Sequence, residues 1–196
     1  MSKRTQAERS EATISAIEKA ARRLFAARGF EATSIDDIAE RAGVAKGAVY
    51  HHFESKQAIF ARVLDQIQGE LASLPPPPVT RARTSPLDLI ADAVLRYLLA
   101  ASEPERKRIL LVDGPAVVGW QKWREIDAKY FGAGTRLAIA HVLGARAAER
   151  DVDALAHLVL GAVMEAALVC ASSDDPKRTA REVTANLRRL LEGLIR

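Results

Sequence analysis

The sequence predicts an all-α chain, and three observations carry that expectation. Of its 196 residues 48% are hydrophobic but only 5% are aromatic. The apolar content therefore rests on Ala, Leu, Val and Ile, and Ala and Leu lose little on entering a helix, whereas strands draw on aromatic and β-branched side chains. Apolar residues recur at helical spacing along most of the chain, with Ser, Gly and Pro at the places where helices begin and end. No segment alternates in the way a half-buried strand does.

Each element follows in order. Residues 10–28 carry Ile14, Ile17, Ala21, Leu24 and Phe25 at helical spacing, and Gly29 suits the position just past a helix end. Ser34 precedes the run Ile35 to Ala42, and Asp37 three residues after Ser34 is close to a capping box. Asp36 and Asp37 then lie at the positive end of the helix dipole. Gly43 ends this short helix, and residues 45–52 form another. Ser55 caps a fourth, from Lys56 through Ile59, Phe60, Val63, Leu64 and Ile67 to Leu71. Pro75 to Pro78 lock φ and remove four amide donors, so no helix passes through them. Ser85-Pro86 is a cap with proline at the first helical position, followed by Leu87, Ile90, Val94, Tyr97 and Leu98. A segment from Glu105 to Val112 is expected to stop at Asp113-Gly-Pro115, and another to run from about Gly119 to Leu143. Asp153 is expected to open a long helix that ends near Ser172, and Pro176 to open the last, reaching Ile195.

Composition narrows the function classes. The net charge is +4, spread along the chain, which permits an acidic partner without demanding one. The lone cysteine, Cys170, leaves no internal disulfide or cysteine-based zinc site and suits a reducing cytoplasm. The polar N-terminus lacks a secretory pattern, and the apolar run Leu155 to Ala171, interrupted by His157 and Glu165, falls short of the roughly 20 residues that span a bilayer. A cytoplasmic protein without a membrane partner is expected. There is no phosphate-loop sequence, Gly132-Ala-Gly134 lacks the third glycine and the strand of a dinucleotide fingerprint, and no Ser, His and acid form a recognisable pattern. Neither an enzyme nor a cofactor is expected. His51 and His52 project roughly 100° apart on a helix, a poor metal pair, so no metal site is expected either.

The informative block runs from Gly29 to Lys56. Two short helices joined by a tight turn at Gly43 make a helix-turn-helix pattern, whose second helix can enter a DNA major groove. Ile35, Ile38, Ala39, Val44 and Val49 can form the small core that sets the crossing angle. Lys46, Tyr50, His51, His52 and Lys56 remain as donors toward phosphates and base edges, while Gly47 and Ala48 keep the surface low.

The string GFEATSIDDIAERAGVAKGAVYHHFESKQAIF, Gly29 to Phe60, resembles the DNA-binding domain of the tetracycline-repressor (TetR) family of bacterial transcription regulators. With the flanking helices the resemblance covers roughly residues 10–72. It implies a homodimer on a palindromic operator in double-stranded DNA, with a separate domain whose ligand controls affinity. Carried over by position, Thr33 and Ser34 match phosphate contacts. Lys46, Gly47, Ala48 and His51 match the base-reading face, Tyr50 and His52 match backbone grips, and Lys56 supports that grip. Ala45 departs from the pattern, standing where a Ser or Thr often starts the recognition helix. Lys3, Arg4 and Arg9 form a basic N-terminal stretch that suits either a minor-groove arm or a solvated tail.

The expected organisation is a helix-turn-helix DNA-binding domain at residues 1–74, a Pro-rich linker at 75–85, and a helical ligand-binding and dimerisation domain at 86–196. The last two helices carry apolar surface broader than one small core uses, from Leu155 to Cys170 and from Val183 to Leu194. In the resembled family such helices form the dimer interface. For the small-molecule effector, of unknown identity, the candidates are Tyr97, Asp113, Trp120, Trp123, Tyr130, Phe131 and Met164, because aromatic groups with a polar tip often line binding sites. Taken singly, each is more commonly core or surface. Two other readings stay open: a ligand-independent architectural DNA-binding protein, and a helical enzyme acting on a small hydrophobic compound.

Overall fold

The structure, a computed structural model, describes residues 5–76 and 85–193, and these contain helices and connections but no strand. In chain order they are α1 (Gln6–Arg28), α2 (Ile35–Ala42), α3 (Lys46–His52), α4 (Lys56–Ala72), α5 (Pro86–Ala101), α6 (Pro104–Arg106), a π-helical stretch (Lys107–Asp113), α7 (Gly114–Val118), α8 (Trp120–Leu143), a 3-10 stretch (Gly144–Glu149), α9 (Val152–Ser172) and α10 (Pro176–Gly193). Most of the expected linker, Lys3 and Arg4, and the last three residues lie outside the described residues.

By packing, the chain divides into two compact units. One comprises residues up to Ile67 together with Pro104–Trp123; the other comprises Gln68–Glu103 and Arg124 onward. This differs from the linear division at the proline run, because segment 104–123 packs with the first unit. Helices α4 and α8 each begin in the first unit and continue into the second.

The first unit is closed by an aromatic cluster. Phe25, Phe30 and Phe60 hold ring centroids 5.1–5.8 Å apart, and Ile17, Leu24, Ile38, Val49, Ile59 and Val63 are buried with them. Glu18, also buried, receives the Arg62 guanidinium at 3.1 Å and the Gln66 amide at 2.5 Å. Helix α1 starts earlier than its apolar spacing implies, because Thr5 and Glu8 form a reciprocal capping box. Segment 104–118 is the larger surprise. The winding does not stop at Asp113-Gly-Pro115; it widens to a π-helix, tightens again at Gly114, and breaks only at Gly119, whose φ is +79°. Proline is tolerated there because it opens α7, where its missing N–H has no intrahelical use. The Asp113 carboxylate is turned onto the first unit and accepts the Phe30 N–H at 2.9 Å, while Glu105 accepts from Arg22 at 2.6 Å.

In the second unit, α10 packs along α5 and α9. Arg188 of α10 donates to Asp88 of α5 at 2.9 Å, and Leu98, Ala101, Ala167, Cys170, Ala180 and Leu191 fill the space between. Helix α9 begins at Val152, capped by Asp151 rather than Asp153, and ends against Ser173. Those caps lie outside the apolar run, so the helix reaches 21 residues and is long and apolar enough to cross a membrane, contrary to the expectation that it falls short. One face of it, Ala156, Val159, Met164, Ala167 and Cys170, is nevertheless buried within the unit.

Candidate nucleic-acid interface and cavity

Helix α2 is held by the reciprocal cap its sequence suggests. Ser34 Oγ accepts the Asp37 N–H at 3.1 Å and donates to Asp37 Oδ2 at 2.6 Å, and Asp37 in turn accepts the Ser34 N–H at 2.9 Å. These bonds from Ser34, with Arg28 adding its charge, hold the Asp37 carboxyl below the usual carboxylate range. At the other end Gly43 adopts the left-handed conformation (φ +69°), and its N–H closes onto Ala39 and Glu40. That conformation is costly for any residue with a Cβ, and it turns the chain directly into α3.

Helix α3 starts at Ala45 with no side-chain cap, as the departure from the family pattern implies. Val49 is its only fully buried residue and, with Ile38 and Ala39 of α2, anchors it; Ile35 and Val44 are half-buried. The rest of the helix turns outward. Lys46, Gly47, Tyr50 and His51 are exposed, Ala48 and His52 are partly so, and Tyr50 keeps 53% of its surface open. A Cβ on Gly47 would meet nothing within 4 Å. The Lys46 ammonium pairs with Asp36 at 2.9 Å, and that bond and charge raise its pKa. An exposed pair of this kind contributes little to stability, so Lys46 exchanges partners at low cost.

Two predicted contact residues are placed differently from the rest. Thr33 is 1% exposed and its hydroxyl donates to the Gly29 carbonyl at 2.8 Å, so it braces the loop before α2. Lys56 donates to the Phe30 carbonyl at 2.9 Å and lies over the Phe30 ring, clamping the same loop to the start of α4. The His51 and His52 rings meet edge to face at 4.9 Å. No group of three or more His, Cys, Asp or Glu placed to hold a metal occurs among the described residues.

The second unit encloses a cavity of about 330 Å³ between α4, α5, α8 and α9. Of the predicted effector residues it brings together Tyr97, Tyr130, Phe131 and Met164, with Tyr97 and Phe131 in edge-to-face contact at 5.3 Å. It does not include Asp113, Trp120 or Trp123. Asp113 serves Phe30, and Trp123 is buried in the first unit with its indole N–H on the Leu110 carbonyl at 3.2 Å. Trp120 stacks on Trp123 at 5.6 Å.

Two charged cavity residues were not among the sequence candidates. Asp127 is 5% exposed and accepts one hydrogen bond among the described residues, a long one of 3.4 Å from Gln68 Nε2. Burial pushes its carboxyl up to about 6, with Arg124 and the Gln68 bond opposing. Burial also raises the Tyr97 phenol, and the Asp127 charge adds to it. Arg96, the other charged lining residue, donates to the carbonyls of Leu74 and Pro75. A signal for Asp127 exists in the sequence: Trp123, Tyr130 and Phe131 lie four before, three after and four after it, so this acid stands alone on an apolar helix face.

Comparison with known proteins bears on both regions. Residues 17–63 match the family described as bacterial regulatory proteins, tetR family, and residues 87–194 match the tetracyclin repressor-like C-terminal domain. The chain is 35% identical over 144 residues to the HTH-type transcriptional repressor Rv3405c of Mycobacterium tuberculosis, covering 68% of this chain and 69% of that one. It is 30% identical over 111 residues to the transcriptional regulator AcrR of Shigella flexneri, a match spanning 57% of this chain and about half (51%) of AcrR. A solved TetR-family transcriptional regulator from Pectobacterium atrosepticum superposes with a TM-score of 0.74 at 31% identity, covering 97% of both chains. The structure of RolR with resorcinol superposes with a TM-score of 0.68 at 18% identity over 95% of this chain and 96% of that one, a likeness of fold.

Proposed function

Because the chain belongs to the TetR family of bacterial transcription regulators and carries a DNA-binding helix-turn-helix, we propose that it represses transcription from a palindromic operator as a homodimer and is released by a small molecule. The observation that carries this reading is the outward row on α3. Gly47, Tyr50 and His51 lie on the side away from the buried Val49, with Lys46 and Ala48 at its edges, and the space above Gly47 is open. A flat surface of donors on a short helix suits the major groove, where base edges are read, while Ser34, His52 and Lys56 flank it toward phosphates. Thr33 acts by bracing the loop through its hydroxyl rather than by offering that hydroxyl to a phosphate.

Pairing is supported by apolar surface on the last two helices. Leu158 (69%), Val169 (46%) and Leu190 (72%) are open to solvent in one protomer, and a second copy of the same surface is their natural cover. Such a dimer presents two copies of α3 to successive turns of the groove. The cavity supports ligand control, and repression accords with the naming of the relative Rv3405c as a repressor. Helix α4 supplies the physical link: it begins with Lys56, which clamps the loop before α2, and ends with Leu71 and Ala72 in the cavity wall. A ligand that displaces the end of α4 changes the cost of holding its beginning, and the coupling is reciprocal. Action on the chromosome would call for a cytoplasmic protein.

Fluorescence anisotropy with DNA from upstream of the protein's own gene, nonspecific competitor present, tests the reading. Saturable binding to an inverted repeat, one dimer per site, weakened by a member of a panel of hydrophobic compounds, is expected. Binding that competitor abolishes on every fragment of the genome, with a steep salt slope, would make the protein an architectural DNA binder instead.

A further inference from the structure

The cavity's chemistry is more specific than its apolar walls suggest. Asp127 is the sole acid lining it, and its carboxylate has one long hydrogen bond among the described residues. The amide that makes that bond belongs to Gln68, which is 0% exposed, and Gln68 Oε1 is buried without a donor. Reversing the amide would set two oxygens against each other, so the observed orientation is the one the carboxylate selects. Asp127 therefore presents an under-bonded acceptor to a largely apolar space, backed by the buried Gln68 Oε1, which also lacks a donor. A neutral apolar ligand would leave that carboxylate under-bonded, and an anion would meet the Asp127 charge.

Resting on the reading that this cavity is an effector site, we propose that its ligand is a compact amphiphile bearing one protonated amine, seated on Asp127 with its apolar body against Tyr97, Phe131, Val163 and Met164. An ammonium supplies two or three donors and the counter-charge together, which a hydroxyl does not. Its attraction to a carboxylate is strengthened where water is excluded, and aromatic faces add to it. The charged and titratable groups facing Asp127 are Arg124 on its own helix and Tyr97 on α5, with neutral Gln68 from α4. Arg124 acts on Asp127 through its field, and Arg96 donates to the backbone carbonyls of Leu74 and Pro75 while its Nε is buried without an acceptor. The carboxyl titrates near 6, so it is ionised and available at neutral pH.

Calorimetric titration of the full chain, without DNA, with 4-phenylbutylamine, 4-phenylbutanol and 4-phenylbutanoate tests this. The three share an apolar body of a size the cavity admits and differ in the head group. The amine is expected to bind at least tenfold tighter than the alcohol, with no binding of the carboxylate. Lowering the pH from 7.5 to 5 should weaken the amine about tenfold and leave the alcohol unchanged, as protonation removes the charge it pairs with. Asp127→Asn should erase the amine's advantage while the alcohol still binds. Equal binding of amine and alcohol, an amine preference that survives Asp127→Asn, tighter binding of the carboxylate, or no binding of any of the three overturns the proposal. Since no DNA is present, these failures leave release by another compound standing; an amine that binds as described yet leaves operator DNA bound would instead count against ligand release.

Discussion

The proposed base-reading residues of the first unit, Lys46 to His51, lie within the seven consecutive residues of α3, whereas the cavity of the second is walled by four helices that reach from Leu71 to Met164. The contrast reflects what each surface meets. A groove in DNA is approached from outside, so a single exposed helix face can carry the reading residues and its neighbours in sequence are its neighbours in space. A small molecule is enclosed, so each wall must come from a different element, and a residue's role depends on partners far away in the chain. The treatment of polar groups differs in the same sense. Around α2 and α3 they are exposed or paired, as with Ser34 and Asp37 or Lys46 and Asp36, while in the second unit Asp127 and Gln68 are buried with incomplete partners.

The comparison breaks first if the rigid frame of the DNA-facing unit is not its aromatic cluster. Phe60 is fully buried and touches both Phe25 and Phe30, so Phe60→Ala should cost about 3–5 kcal/mol in that unit. Both tryptophans, Trp120 and Trp123, belong to the first unit, so urea unfolding followed by their fluorescence reports on it. A shift below about 1 kcal/mol would mean that the cluster does not hold the unit together.

The second unit should respond in the opposite direction to loss of its buried acid. The folded-state pKa of Asp127, about 6, lies above the ordinary 3.8, so the native state binds the proton more tightly than the unfolded chain. Stability therefore falls as pH rises from 4 to 6, and the ionised group is a net cost above that window. Replacing it by the isosteric, neutral Asn should stabilise the free protein at pH 7.5 by on the order of 3 kcal/mol, with the gain vanishing below pH 4. Thermal unfolding of both forms across pH 4–8, with hydrogen exchange read on residues 124–143, measures it. A destabilised Asp127→Asn at pH 7.5 would show that the carboxylate is paired in the native state after all.

How legible each region was follows from the same locality. The Ser34–Asp37 cap, the turn at Gly43 and the uncapped Ala45 depend on residues within four positions of one another, and the sequence pattern shows them. The bonds of Thr33 and Lys56 to the carbonyls of Gly29 and Phe30 depend on how a loop closes, which the sequence pattern does not show. Asp113 looked like a helix stop and a cavity residue. Besides nearby Arg108 it bonds the Phe30 N–H, 83 positions away, which no spacing rule reaches. Trp120 and Trp123 illustrate the general difficulty: helical spacing shows that an aromatic faces inward, but not into which unit. Asp127 was findable, because a single acid among three aromatic neighbours on one helix face is a local anomaly.

On the DNA side, Lys46→Ala and Tyr50→Ala should each weaken operator binding by about 1–3 kcal/mol, roughly ten- to a hundredfold, without loss of fold, since both side chains are exposed. Their salt dependence sharpens the assignment. If Lys46 meets a phosphate, its variant lowers the slope of log K against log salt by about one and weakens all sequences alike. If it reads a base, the slope stays near wild type and specificity relaxes at one position. Binding unchanged in both variants would remove α3 from the interface.

The smallest effect is the most discriminating. Gly47 sits inside α3, has no positive φ, and faces open space where a methyl group would touch nothing in the chain. Within the protein alone it is a defect, because glycine in a helix interior costs up to about 1 kcal/mol relative to alanine. Gly47→Ala should therefore raise stability by a few tenths to about 1 kcal/mol, as measured by denaturant midpoint. If the open space exists because DNA comes close there, the same methyl group should weaken operator binding, so stability and affinity move in opposite directions in one variant. A variant that is more stable and binds DNA as well as the wild type would show that the groove stays clear of Gly47, and would move the reading face toward Tyr50 and His51.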